Sequence, residues 1–270
     1  MGAPIINEAE FAAFVLVLIR VSIVVVIAPI FNNSAIPGQV KIALCLMLTF
    51  IISPQIRYTA DMMPTTWFGF GVLGLGEILL GFTLAFMVRL ILDAASVAGF
   101  YISMQMGLSM ANTMDPQSGV QSPTLSMLIT LLMTLLFLHL NGHYLIIKAL
   151  INSFSVAPPG MLNTWRPEVF TEIIKAMAAM YVLAVKICAP VVAVLFCVKV
   201  AFGITAKAVP QMNIMFVGIP VYILVGLLVI GFGMPWWPKL LEGAMFAVDG
   251  GLDRLLGWFA PQAVMGGFDN

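Results

Sequence analysis

Residues 208–238 read AVPQMNIMFVGIPVYILVGLLVIGFGMPWWP, with no Asp, Glu, Lys or Arg. A helix that crosses a bilayer needs about 20 mainly apolar residues, and this run exceeds that. Residues 21–40, 94–114 and 116–147 are equally free of those four residue types. Over the 270 residues, 61% are hydrophobic and 9% charged, and the mean hydropathy is +1.07. A soluble domain carries about 25% charged residues, so this chain cannot coat itself for water. Its net charge is zero. Ordinary cytosolic enzymes, disordered chains and basic nucleic-acid binders are thereby excluded. What remains is a chain immersed in lipid, or in other apolar protein, over most of its length.

Working outward, the hydrophobic spans are expected near residues 11–31, 40–56, 67–104, 125–151, 172–202 and 213–235. Backbone exposed to lipid must satisfy its own hydrogen bonds, and strand-type alternation is absent, so the expected fold is all-α with about six membrane helices. Turns fall at Asn32-Asn33-Ser34, at Pro37-Gly38 and at Pro158-Pro159-Gly160. Pro190 lies inside the fifth span and should kink it. Glu8 and Glu10 stand where a secretory leader would be basic, so the first span is expected to stay in the mature protein. No repeat or long linker divides residues 1–270, which are read as one membrane domain. In the tail, 239–270, Leu252, Leu255, Leu256 and Phe259 form an amphipathic stripe, belonging to either a packed end helix or an interfacial one.

In so apolar a chain the informative side chains are the charges inside spans: Arg20, Glu77, Arg89, Asp93, Lys175, Lys186 and Lys199. One such charge at a helix centre costs roughly 2.5–3.5 kcal/mol. Arg89 and Asp93 are four residues apart, hence neighbours on one helical face. Glu168, Glu172 and Lys175 form a similar ridge, and Lys186 returns to the face of Lys175 after eleven residues. Two readings stand side by side. The charges are satisfied pairs or snorkelling side chains, or they line a wet path or touch other subunits.

Residues 105–123, QMGLSMANTMDPQSGVQSP, are too polar and too rich in Gly and Pro for a lipid-facing helix. Met104, Met106, Met110 and Met114 make them too apolar for a plain solvated loop, and methionine adapts to changing neighbours. Upstream, Ala95, Gly99, Ser103 and Gly107 recur every four residues, a small-residue ridge that permits close helix approach. A close-packed helix running into a pliable, Met-bearing loop suits a constriction that seals around a moving polymer; an ordinary re-entrant or surface loop is the alternative.

Enzymatic motifs are absent. Cys45, Cys188 and Cys197 lack metal spacing and sit in apolar runs, as structural thiols do. His139 and His143 are four apart but have no acidic or Cys partner nearby. Neither catalysis nor a cofactor is expected.

The motifs together support a family. Ala28-Pro29-Ile30-Phe31, then residues 36–44 (IPGQVKIAL) and 77–81 (EILLG), lead to the more specific Gln105-Met106-Gly107-Leu108-Ser109 with Asp115-Pro116. Asn141-Gly142-His143, Pro210-Gln211-Met212-Asn213 and Gly218-Ile219-Pro220 follow in order. In these pieces the chain resembles the FliR family of flagellar export-gate proteins, called SctT in virulence type III secretion, from about Arg20 to Gly231. The resemblance implies a helical assembly in the bacterial inner membrane, at the flagellar basal body, with FliP-like and FliQ-like subunits and an FlhB-like protein beside them. Unfolded substrate proteins pass through it. One FliR-like subunit closes the ring of FliP-like subunits, and its loop after the third hydrophobic stretch belongs to the plug. That loop maps to 105–123, with Met106, Gly107, Met110, Met114, Asp115 and Pro116 as plug or gate residues. Arg20, Glu77, Arg89, Asp93, Lys186 and Lys199 are then the intramembrane charges and subunit contacts. Helices are expected to pair as hairpins, some covered by neighbouring subunits instead of membrane lipid. The chain departs from the family's usual pattern at Lys186, at Lys207 and in the tail.

Two other readings compete. A secondary transporter of a small solute would use the intramembrane charges, but it predicts two related halves, and no such symmetry is visible. A scaffold without a conduit would tolerate changes in 105–123 silently.

Overall fold

The computed structural model describes residues 8–31, 36–56, 66–108, 124–160, 167–208 and 214–259. Among these the secondary structure is helical, with no strand. The α-helices are α1 (Glu8–Ile27), α2 (Gly38–Ile52), α3 (Trp67–Gln105), α4 (Thr124–His139), α5 (Gly142–Val156), α6 (Pro167–Ala208), α7 (Ile214–Gly233) and α8 (Trp237–Phe259). Short 3-10 turns, Ser53–Gln55 and Met234–Trp236, follow α2 and α7. Five helical stretches are long and apolar enough to cross a membrane, or six if α4 and α5 count as one broken span. The expectation of an all-α membrane protein is met.

Local chemistry sets the boundaries. α6 opens on Pro167, whose missing N–H is no loss in a first turn. It carries Glu168 in that turn and Lys207 in its last, complementing the helix dipole. Helix continues through Pro190, and α6 is longer at both ends than its apolar run of residues 172–202 predicted. The run expected as one span over 125–151 is interrupted at Leu140 and Asn141, where Asn141 adopts φ 60°. Asparagine is among the few non-glycine residues that enter this left-handed region readily, and α5 restarts directly behind it.

The helices fall into two compact units. The first holds α1, α2, α3 as far as Arg89, α5, α6 as far as Met177, and α8 from Met245. Its core is a stripe of α1, with Leu16, Val17, Arg20, Val21 and Val24 all buried. Gly81 of α3 lets the two backbones approach: a Cβ there would stand 3.0 Å from the Arg20 carbonyl oxygen and 3.4 Å from Ile23 Cβ. Phe14 and Phe50 join α1 to α2 with ring centroids 5.1 Å apart. Leu252, Leu255, Leu256 and Phe259 of α8 are buried, and a Cβ on Gly251 would meet Met87 Cε at 3.1 Å. Lys148 Nζ donates to both carboxylate oxygens of Asp249 at 2.9 and 2.8 Å. Glu172 accepts from Lys175 Nζ at 2.7 Å and from Arg254 Nε at 3.4 Å.

The second unit holds α3 from Leu90, α4, α6 from Ala178, α7 and the start of α8. Ile102, Met106, Ile129, Met133, Phe137, Ile187 and Leu195 are among its most deeply buried side chains. Within it α3 and α4 run antiparallel, since Ser96 lies beside Thr130 while Gly99 lies beside Ser126. That is the hairpin arrangement expected.

Candidate functional site

The site of interest is the pair of roots from which residues 105–123 leave and rejoin the second unit. The first root is the C-terminus of α3. The Gly107 N–H donates to the Met104 carbonyl and the Leu108 N–H to the Ser103 carbonyl, both at 3.1 Å, and Gly107 takes φ +79°. This is a Schellman cap: a left-handed residue turns the chain while the last carbonyls find donors. A side chain at that φ costs about 1 kcal/mol. Gly107→Ala is therefore expected to lower the thermal midpoint of the purified chain by about 2–4 °C, read by scanning fluorimetry in detergent.

Neighbouring helices hold this end. Met106 is fully buried and lies across Gly226 of α7, where a Cβ would come within 2.8 Å of its sulfur. Gln105 Oε1 accepts a hydrogen bond from Lys199 Nζ of α6. The same ammonium lies 5.8 Å from the ring centre of Tyr222, which in turn meets Phe202 edge-on at 5.6 Å. Three helices thus converge on Gln105-Met106-Gly107.

The second root is the start of α4. A Cβ on Gly99 would stand 2.8 Å from Ser126 Cα and 3.4 Å from Ile129 Cβ. Ser126 Oγ donates to the Ser96 carbonyl at 3.0 Å, and the Ser96 and Thr130 hydroxyls share a hydrogen bond at 3.0 Å. Gly99, one member of the small-residue ridge read from sequence, is therefore where α4 packs against α3, while a Cβ on Gly107 would face Ile219 of α7 at 3.7 Å.

Sequence-predicted residues distribute unevenly over this geometry. Met106 and Gly107 form the first root. Met110, Met114, Asp115 and Pro116 lie outside the described residues. Arg20 and Glu77 sit in the core of the first unit: the guanidinium donates through Nε to Glu77 at 2.5 Å, through Nη1 to Ser153 Oγ at 3.1 Å and through Nη2 to the Ala157 carbonyl at 3.0 Å. The Phe154 ring centre lies 4.3 Å from it. Arg89 and Asp93 are half-buried on one face of α3. Lys199 belongs to the first root, and Lys186 is exposed on α6. Sequence reading missed Ser153, Gly226 and Tyr222. No spacing signal joins residues so far apart in the chain; the only hint for Gly226 was a glycine inside an apolar helix.

No set of three His, Cys, Asp or Glu stands together among the described residues as a metal site would require. What the arrangement offers is mechanical: two pinned ends and a methionine-bearing segment between them.

Comparison with known proteins bears on this geometry. Residues 11–248 match the family described as bacterial export proteins, family 1. The flagellar biosynthetic protein FliR of Bacillus subtilis is 34% identical over 224 residues, 82% of this chain and 85% of that protein. FliR of Escherichia coli is 32% identical over 220 residues, covering 81% and 82% respectively. FliR of Aquifex aeolicus is 30% identical over 209 residues, covering 77% and 79%.

Proposed function

The chain belongs to the FliR family of bacterial export proteins, and we propose that it is the export-gate subunit whose segment 105–123 stops the conduit at rest. As a family member it is a multi-pass membrane component of the flagellar export apparatus. The finer reading is that it closes a ring of FliP-like subunits, with FliQ-like and FlhB-like neighbours, and helps seal that ring until an unfolded substrate protein enters. One observation carries the reading. The segment's two roots rest on one helix, at Gly107 and beside Gly99, about 12 Å apart at 1.5 Å per residue. A segment fixed at both ends can yield to a passing chain and then return. Its methionines suit that task, because an unbranched thioether packs against changing surfaces without demanding one geometry.

The test uses the assembled apparatus in exporting cells. A photoreactive residue at Met110 or Met114 should trap a stalled export substrate, and removal of residues 112–118 should make the membrane leak ions. Adducts with lipid alone, together with an ion-tight deletion, would overturn the sealing role.

A further inference from the structure

Lys148 and Lys175 each donate to a carboxylate, that of Asp249 and that of Glu172. Lys199 does not. Its ammonium donates to the side-chain amide oxygen of Gln105, the last residue of α3, at 2.5 Å, and lies 5.8 Å from the ring centre of Tyr222. Among the described residues no carboxylate stands within ion-pair distance of it. Glutamate has the same reach as glutamine, so what the amide lacks is only the charge.

The last turn of α3 contains no basic residue, and its carbonyls form the negative end of the helix dipole. Lys199 supplies the missing cation from α6. The facing side of α7 receives the same helix end. Ile219, Tyr222 and Gly226 follow at spacings of three and four, one face of a helix. A Cβ on Gly107 would stand 3.7 Å from Ile219, and one on Gly226 would meet the Met106 sulfur at 2.8 Å. Freeing Met106 would open a void beside Gly226, and undoing the Gly107 cap would strip two carbonyls of their donors. Freeing Gln105 needs only a side-chain rotation. Gln105 and Lys199 are both half-buried, so water can take over either half of their bond.

We propose that Lys199 is the positioning residue of the gate. Its bond to Gln105 holds the end of α3 from which segment 105–123 departs, and the neutral amide keeps that hold weak enough to release when a substrate chain enters. The proposal rests on the reading of 105–123 as the seal.

The test has two arms. In the purified chain, Gln105→Glu should keep or raise the thermal midpoint when Lys199 is present. In the Lys199→Met background the same change should lower it by about 2–4 °C, because a carboxylate at a helix C-terminus is unfavourable without its cation. Equal effects in the two backgrounds would overturn the latch whatever the segment does. In cells with the intact apparatus, Lys199→Met should raise resting ion leakage several-fold and Lys199→Arg should stay tight. Gln105→Glu should also stay tight but slow substrate export several-fold, since an ion pair releases less readily than an amide. A merely structural role would not move leakage with one change and export with the other; export at the wild-type rate from Gln105→Glu would overturn the proposal. Deletion of residues 112–118 is the reference. If the deletion leaks and Lys199→Met does not, the latch fails and the seal stands. If neither leaks, or only Lys199→Met does, the seal fails and the latch with it. Should Lys199→Met lower the chain level, the export rate of Gln105→Glu and the midpoints still decide.

Discussion

Glu77→Ala is expected to destabilise the chain by about 3–5 kcal/mol, the usual consequence of leaving one member of a buried ion pair without its partner. Arg20 is 1% exposed and Glu77 5%, so water cannot replace the lost carboxylate. Ser153 Oγ and the Ala157 carbonyl remain as acceptors, yet neither carries the charge that balances a guanidinium. The measurement is thermal unfolding in detergent, supported by the amount of chain held in the membrane at steady state. Glu77→Gln keeps the shape and one acceptor but loses the charge, and should fall between wild type and Glu77→Ala. The double change Arg20→Met with Glu77→Met removes both charges and should recover most of the loss, since replacing a buried pair by apolar side chains of similar volume is often neutral or stabilising. An unchanged midpoint for Glu77→Ala would contradict the pairing. The stakes extend beyond one contact, because this guanidinium's hydrogen bonds tie Arg20 on α1 to Glu77 on α3 and to Ser153 on α5.

These residues also show what a sequence can and cannot disclose. The helices were legible because lipid and apolar protein impose one simple demand, long uncharged runs, and the composition meets it. The Ala95-Gly99-Ser103-Gly107 ridge was legible from its four-residue periodicity, although Gly107, counted in it, proves to be the left-handed cap that ends α3. The pairing of Arg20 with Glu77 was not. The two stand 57 positions apart, and nothing in local spacing distinguishes a charge that meets a partner inside the chain from one that awaits another subunit. For the same reason Lys186, Lys199 and Arg20 look alike on the page of sequence. In the structure Arg20 is held inside a core, Lys199 is bonded to Gln105, and Lys186 stands exposed on α6. The break at Asn141 was hidden because hydropathy reads 125–151 as one apolar run, and it does not register that a single left-handed residue separates α4 from α5. Helix ends were the least legible. α6 extends beyond its apolar stretch because Pro167, Glu168 and Lys207 favour helix at its two ends, and hydropathy does not register that preference.

Gly99→Leu is expected to be the most damaging single change in the second unit. Even an alanine there would place its Cβ 2.8 Å from Ser126 Cα, a backbone atom that can retreat only if α4 moves as a body. Overpacking of this kind costs typically 1–3 kcal/mol. Separating the helices also strains the hydrogen bonds from Ser126 to Ser96 and between Ser96 and Thr130, worth about 0.6 kcal/mol each in membrane interiors. A graded series should result, with Gly99→Ala already costing about 1–3 kcal/mol and Gly99→Leu more, read in thermal unfolding. Gly203 of α6 gives the control. Nothing lies within 4 Å of a Cβ built there, so Gly203→Ala in the isolated chain should be neutral or stabilise by up to about 1 kcal/mol through helix propensity. The consequence reaches function because α4 begins at Thr124, immediately behind segment 105–123. If that segment is the seal, moving α4 shifts one of its two anchors while leaving the Gly107 cap intact. Gly99→Ala should then raise resting ion leakage in cells, whereas Gly81→Ala, a crowding in the first unit against the Arg20 carbonyl at 3.0 Å, should lower stability without leakage. Equal leakage from the two variants, or none from either, would break the link between the α3–α4 seam and the gate.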